Sequence, residues 1–216
     1  MFETGTISLK RLELDIPKDI RPAGTGVFAE LVSLAGTALQ ALHDHRHGRP
    51  LAVVSRLRGT GRGISLSRLL AELDRDHPIE LVAPFEDSQF VSGAVWHGDD
   101  VLGHACSIAV AKLLWAPGAV DLPMHVHDLS DRFIIVRKGR GYFHVSDEAP
   151  EKFTGKSVRT IPARERDVFM FSRGVVHTFS TDKDSMELLS CQAPFVPFED
   201  PDQYRLPAVR CPPCGL

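Results

Sequence analysis

Residues 124–137 read Met124-His125-Val126-His127-Asp128-Leu129-Ser130-Asp131-Arg132-Phe133-Ile134-Ile135-Val136-Arg137, and residues 167–177 read Asp167-Val168-Phe169-Met170-Phe171-Ser172-Arg173-Gly174-Val175-Val176-His177. Both are short runs rich in β-branched and aromatic residues, punctuated by turn formers, which is how strands are written. The same texture continues on either side. Phe90–Trp96, Cys106–Trp115, Arg132–Arg137, Gly141–Val145, Ser157–Ile161, Asp167–Phe171, His177–Thr181 and Met186–Cys191 are the expected strands. Short strands at this spacing, with no helices between them, point to an antiparallel barrel of the jelly-roll kind. Closing such a barrel leaves an interior that can hold one ligand.

Within that barrel the informative feature is His125-Val126-His127. In a strand, residues i and i+2 share a face. Two imidazoles then project together, and a third from a nearby strand completes a facial set for a divalent metal. His177 is the expected third. It follows a turn in which Gly174 permits a tight approach, and it opens a strand on whose face Phe179 would supply an apolar wall.

These positions resemble the two signature motifs of the cupin superfamily. The first reads Pro117-Gly118, then His125-Val126-His127, then Arg132 through Gly139-Arg140-Gly141. The second reads Asp167 to His177. The resemblance covers about residues 105–195. It implies a cupin-like double-stranded β-helix, that is, a mostly-β jelly-roll barrel, here preceded by an α-helical N-terminal segment. It also implies a homodimer, because cupins often pair through sheet edges. Departures accompany the matches. Arg132 stands where cupins carry the metal-binding Glu, and a guanidinium offers no lone pair to a metal. Arg166 stands where the second motif opens with Gly, Ser172 where it has Pro, and the first motif's Gly118 is displaced by one residue.

Three readings of the site follow. In one, His125, His127 and His177 hold a metal with no carboxylate, as in the thiol dioxygenases and diketone-cleaving cupins. Arg132 then faces inward and pairs with a substrate carboxylate or enolate. In another, Asp131 swings in as a fourth ligand. In the third there is no metal, and the barrel is a binding or sensor module. A metal-independent isomerase is a further alternative and would need an acid/base pair. Tyr142 and His144 share a strand face and are its candidates if that face is inward. The expected cofactor is a divalent transition metal, iron first, with nickel, zinc, manganese or copper as alternatives, since imidazole suits them all. The expected substrate is a small anionic organic molecule.

Outside the barrel, Val27, Phe28, Leu31, Leu34, Ala35, Ala38 and Leu42 recur at three- and four-residue steps, which predicts an amphipathic helix from Val27 to Leu42. Its apolar stripe must be buried, against the barrel or against a partner subunit. A second helix is expected around Leu66–Leu73. The expected organisation is a helical extension over 1–90, a barrel over 91–198 and a tail over 199–216. His43 and His47, four residues apart, sit in a last helical turn that favours a solvated end over a metal site. His97 and His104 flank a turn and are expected in solvent. The Gly59–Gly63 stretch lacks a nucleotide-binding pattern and reads as a loop. Cys106 and Cys191 read as small buried apolar residues, and the lone Cys211-Pro-Pro-Cys214 as a disordered tail.

Of 216 residues, 43% are hydrophobic and 25% charged, with a net charge of -3. No basic surplus suggests nucleic acid. No apolar run is long enough for a membrane span, and no signal-peptide pattern opens the chain, so the expected compartment is the cytoplasm.

Overall fold

The computed structural model describes residues 10–11, 27–46, 49–56, 80–97 and 108–210. The expected second helix, the Gly59–Gly63 loop, His47, His104, Cys106 and the Cys211–Cys214 pair lie outside the described residues, as does the side chain of His97. The strands are β1 (Lys10–Arg11), β2 (Ala52–Arg56), β3 (Glu80–Val82), β4 (Val91–His97), β5 (Ala109–Trp115), β6 (Asp131–Ser146), β7 (Arg159–Arg164), β8 (Asp167–Phe171), β9 (Val176–Ser180) and β10 (Met186–Ala193). One helix, α1 (Val27–Arg46), precedes β2. Among the described residues the architecture is mostly antiparallel β with this one N-terminal α-helix. Among the described residues, no helix is long and apolar enough to cross a membrane.

β6 organises the barrel. Its first half lies between β8 and β10, and its second half between β7 and β9. The larger sheet continues from β10 through β5 and β4 to β3, and on the other side from β8 through β2 to β1. Thus β2 and β3, although they precede residue 91, are part of the same sheet.

Two strands are expected where the structure has only β6. Gly139 and Gly141 read as turn residues, but the chain runs on through a β-bulge. Glu187 pairs with Lys138 while Leu188 pairs with Val136, leaving Arg137 as the extra residue. A bulge reverses the inside–outside alternation downstream of it. Ile134 and Val136 pack in the interior before it, Phe143 and Val145 after it. Gly139 sits at this kink with φ +77°, and a Cβ there would collide with the carbonyl oxygen of Ser185. Gly139→Ala is therefore expected to destabilise the fold by at least about 2 kcal/mol, from left-handed strain plus displacement of the β10 backbone. Urea unfolding measures it, and a loss below about 0.5 kcal/mol would place the kink elsewhere.

Two of the motif departures have structural reasons. Arg166 takes φ +74°, the left-handed conformation for which glycine is ordinarily chosen, and its N–H is held by the carbonyl of Val136 at 2.8 Å. Ser172 exchanges hydrogen bonds with Leu51: its N–H donates to the Leu51 carbonyl at 2.9 Å, and its Oγ accepts from the Leu51 N–H at 3.0 Å. A proline has no N–H and could not do this. Serine here ties the approach to β2 onto the loop before β9.

Helix α1 continues one turn beyond Leu42. The apolar stripe ends there, but the helix does not; Gln40 donates to Asp44 one turn on. Leu31, Ala35, Ala38, Leu39 and Leu42 bury against Val53, Phe133, Ile135, Val168 and Met170 on the outer face of the large sheet. The stripe is thus covered in cis. Each fully buried leucine contributes roughly 1.5–3 kcal/mol, so α1 is integral to the barrel. Cys191 is buried on the same face, as expected.

Candidate metal centre

The convergence of the histidines begins in the backbone. His125 and His177 form an antiparallel bridge and exchange both N–H to carbonyl hydrogen bonds, each at 2.9 Å. Residues facing one another in such a pair present side chains on the same face. His127 lies two residues beyond His125 and is pinned by its carbonyl, which accepts from the Gly174 N–H at 2.9 Å. The three imidazoles therefore point the same way. Their ring centroids are 4.6 Å (His125–His177), 5.1 Å (His125–His127) and 5.3 Å (His127–His177) apart. Their ligand atoms all lie within 4.8 Å of one another.

Each ring is also held in one tautomer. Nδ1 of His125 donates to the carbonyl of Pro123 at 3.0 Å, that of His177 to Val175 at 2.9 Å, and that of His127 to Gln203 at 2.6 Å. A proton on Nδ1 leaves the Nε2 lone pair free, which is the form in which imidazole binds a metal. His127 Nδ1 also lies 2.9 Å from Arg132 Nη2. A guanidinium only donates, so Nδ1 cannot serve both contacts. The shorter carbonyl contact, and the same arrangement at the other two rings, place the proton on Nδ1. Burial lowers all three imidazole pKa values, that of His125 to about 4, and the Arg132 charge lowers them further. They are neutral at pH 7, as metal ligands must be.

Arg132 projects into the same cavity and is 2% exposed. Burial pulls its guanidinium down to about 9, with the Asp131 carboxylate opposing, so it is cationic at neutral pH. Ser130 Oγ accepts one of its hydrogen bonds. Phe171, Phe179, Trp115, Phe85 and Phe198 wall the cavity.

The remaining expected site residues are placed elsewhere. Asp131 does not join the imidazoles. It starts β6 on the face opposite Arg132, and its carboxylate accepts from Arg173 N–H (2.7 Å), Nε (3.3 Å) and Nη2 (3.4 Å). It fastens the loop that leads to His177. Asp131→Asn is expected to leave metal stoichiometry unchanged while costing about 1 kcal/mol in chemical denaturation; loss of metal from this variant would return Asp131 to the ligand set. Tyr142 and His144 are corrected in the same way. Downstream of the bulge their face is the outer one. His144 is buried there between β7 and β9, with Nδ1 2.9 Å from Thr160 Oγ1 and Nε2 2.7 Å from Ser180 Oγ. Neither residue lines the cavity, so the isomerase alternative loses its acid/base pair. His43 is exposed near the end of α1.

Sequence reasoning overlooked the segment after β10. Val126 and Arg205 form an isolated bridge, Tyr204 OH donates to Asp87 at 3.1 Å, and Arg205 pairs with Asp128 and Glu151. The segment expected to be a tail from 199 onward thus crosses the barrel mouth, and its Gln203 orients His127. Gln192 and Ser190 also line the cavity. These two had a legible signal: they are polar residues in phase with inward Met186 and Leu188. Gln203 had none.

Residues 94–192 match the cupin family model. No curated protein matches the chain in sequence. Among solved structures, the chain is similar to the polyketide cyclase RemF from Streptomyces resistomycificus, with 17% identity and a TM-score of 0.45 over 61% of this chain and 80% of that one. It is similar to an oxalate oxidase, with 16% identity and a TM-score of 0.39 over 52% and 55%. It is also similar to a predicted oxalate decarboxylase from Thermotoga maritima, with 16% identity and a TM-score of 0.40 over 54% and 92%.

Proposed function

Since residues 94–192 form a cupin domain around a buried three-histidine cluster, we propose that the protein is a metal-dependent enzyme of the three-histidine, dioxygenase-like kind, acting on a small anionic organic substrate. The observation that carries this reading is the set of three Nδ1-anchored imidazoles. It fits a divalent transition metal by donor chemistry: three neutral nitrogens, tautomers fixed by backbone carbonyls, and lone pairs turned to one region. Iron is the first choice because the resemblance to the three-histidine cupin dioxygenases implies it; the donor set itself suits zinc, copper, iron and nickel alike. A bound ion of this type supplies Lewis-acid polarisation and, for iron, redox access to O2.

The chain's own residues do the rest. His125, His127 and His177 would hold the ion. Gln203 and Gly174 fix His127, and the exchanged backbone bonds fix His125 against His177. Arg132 attracts and orients the substrate anion, ideally through two parallel hydrogen bonds. The aromatic walls exclude water, which strengthens each electrostatic contact inside.

The test is to load the protein anaerobically with Fe(II), Ni(II), Mn(II) or Zn(II), measure metal per chain, then follow oxygen uptake with anionic substrates. About one ion per chain, with oxygen uptake specific to the iron form, is the expected result. No stoichiometric metal with any ion removes the centre of the proposal. Ligand-dependent thermal stabilisation without oxygen uptake would make the barrel a binding module instead.

A further inference from the structure

The polar groups of the cavity are shut off from solvent. His125, His127, His177, Arg132, Gln192 and Gln203 are each no more than 5% exposed. A ligand reaches them only if part of the wall moves. Most of the wall stands on β5, β6, β8, β9 and β10, which are laddered into the sheets. The segment 198–205, which contributes Phe198 and Gln203, is not. Its turns are closed by its own hydrogen bonds: Asp200 N–H donates to the Pro197 carbonyl at 3.2 Å, and Gln203 N–H to the Asp200 carbonyl at 2.9 Å. One two-way backbone bridge, Arg205 with Val126 at 3.0 Å each way, ties it to the body. The ring of Tyr204 lies edge-on to Phe85 and His125, and its OH donates to Asp87. The remaining ties are surface ion pairs, Arg205 with Asp128 and Glu151 and Arg210 with Asp87. Exposed pairs of this kind are individually weak.

The underside of the segment carries the second observation. The Gln203 carbonyl accepts from His127 Nδ1 at 2.6 Å, and Arg132 Nη2 lies 2.9 Å from the same nitrogen. The two neighbours demand opposite tautomers. A carbonyl needs the proton on Nδ1, whereas a guanidinium N–H needs a lone pair there. With the segment seated, the carbonyl prevails and Nε2 is free. With it lifted, only the guanidinium faces Nδ1. The proton then leaves Nδ1 and reappears on Nε2 through water admitted at the open mouth, with no change in net charge. An Nε2 that carries a proton cannot ligate a metal. His125 and His177 differ, because their Nδ1 atoms bond to carbonyls two residues away in their own segments.

We propose that segment 198–205 is the gate of the cavity, that its seating sets the tautomer of His127, and that Arg205 is its clasp. Lifting the gate disables one imidazole. An ion on the three imidazoles in turn holds the gate shut, because coupling between two equilibria is reciprocal. The ion half rests on the metal reading above. The gate and the tautomer rest on residues of this chain alone.

The test compares wild type, Arg205→Lys, Arg205→Ala and the double variant Arg205→Glu/Arg210→Glu, metal-free and zinc-loaded. Amide hydrogen exchange at positions 126 and 205 reads the gate, and long-range nitrogen–proton NMR correlations read the imidazole tautomers. In metal-free wild type the two bridge amides are expected to exchange at least about 100-fold faster than those of β6, because they open locally. Zinc is expected to slow them at least about tenfold. Arg205→Ala is expected to speed them about fivefold, and Arg205→Lys to stay near wild type. The double variant turns attractions into repulsions at both ends and is expected to speed them further. In it His127, alone among the three, moves to the Nε2–H form in proportion to the open fraction. The proposal is overturned if the wild-type bridge amides exchange no faster than β6, or if neither the alanine nor the double variant speeds them. It is equally overturned if His127 stays Nδ1–H in a variant that has opened, or if bound zinc leaves exchange unchanged. If wild type takes up no zinc, the metal reading fails by itself, and the metal-free exchange and tautomers decide the gate.

Discussion

Acidifying the metal-free protein from pH 7 to about 4.5 is expected to remove several kcal/mol of folding stability. The cause is four imidazoles held neutral by burial. The pKa of His125 and of His144 is lowered to about 4, and those of His127 and His177 well below the usual 6.5. In the unfolded chain these groups protonate near 6.5. Between 6.5 and the folded values, the unfolded chain therefore binds more protons than the folded one, so stability falls as pH falls through that window. Each group can steepen the decline by up to about 1.4 kcal/mol per pH unit, and His125 and His144 alone are worth about 3 kcal/mol each over the full window. Above pH 7 this contribution is complete and flat. Chemical denaturation at half-unit pH steps reads it directly. A curve with no slope between pH 6.5 and 4.5 would show that the imidazoles are neither buried nor neutral in solution. Saturating metal is expected to raise the curve across this window without changing its slope, because a ligand that binds only the folded state adds stability by mass action while the folded imidazoles are already neutral.

The second large effect concerns His177. Replacing it by alanine is expected to weaken binding of Zn(II) or Fe(II) by about 10²–10³-fold, the share of one ligand in a site of this kind. It is the sole imidazole contributed by β9, and the backbone bridge to His125 persists whatever side chain it bears. His177→Ala therefore removes a donor without removing the pairing that aligns the others. Competition with a chromophoric chelator measures the loss. Asp131→Asn serves as the contrast, since it loosens the loop before β9 but removes no cluster member. Equal metal affinity in wild type and His177→Ala would sink the site assignment.

What could be read beforehand, and what could not, follows from the range of the forces involved. The helix was legible because its stripe is local, and the histidine trio because two-residue alternation and motif spacing are local. Arg132's inward direction was implied, in the metal reading, by the cupin resemblance, because it stands where that family carries its glutamate. The phase of Tyr142 and His144 was not legible, because one extra residue at Arg137 reverses it, and Gly139 reads equally well as a turn. The crossing segment was missed for a different reason. Residues 199–205 have neither period, and their position is set by contacts with Asp87, Val126 and Asp128, each far away in sequence. Ser172 and Arg166 looked like erosion of a motif. They are local replacements, one by an exchanged pair of hydrogen bonds and the other by a residue that tolerates the glycine conformation at a cost of about 1–2 kcal/mol.

Because β6 is zipped on both flanks along nearly its whole length, to β8 and β10 in one half and to β7 and β9 in the other, its amides have no route to deuterated solvent short of opening both layers together. They should be the slowest in the molecule to exchange, at a rate that reports global unfolding. The strands on either side of the pocket then form one cooperative unit, and occupancy of the pocket would be felt as added protection along this single thread.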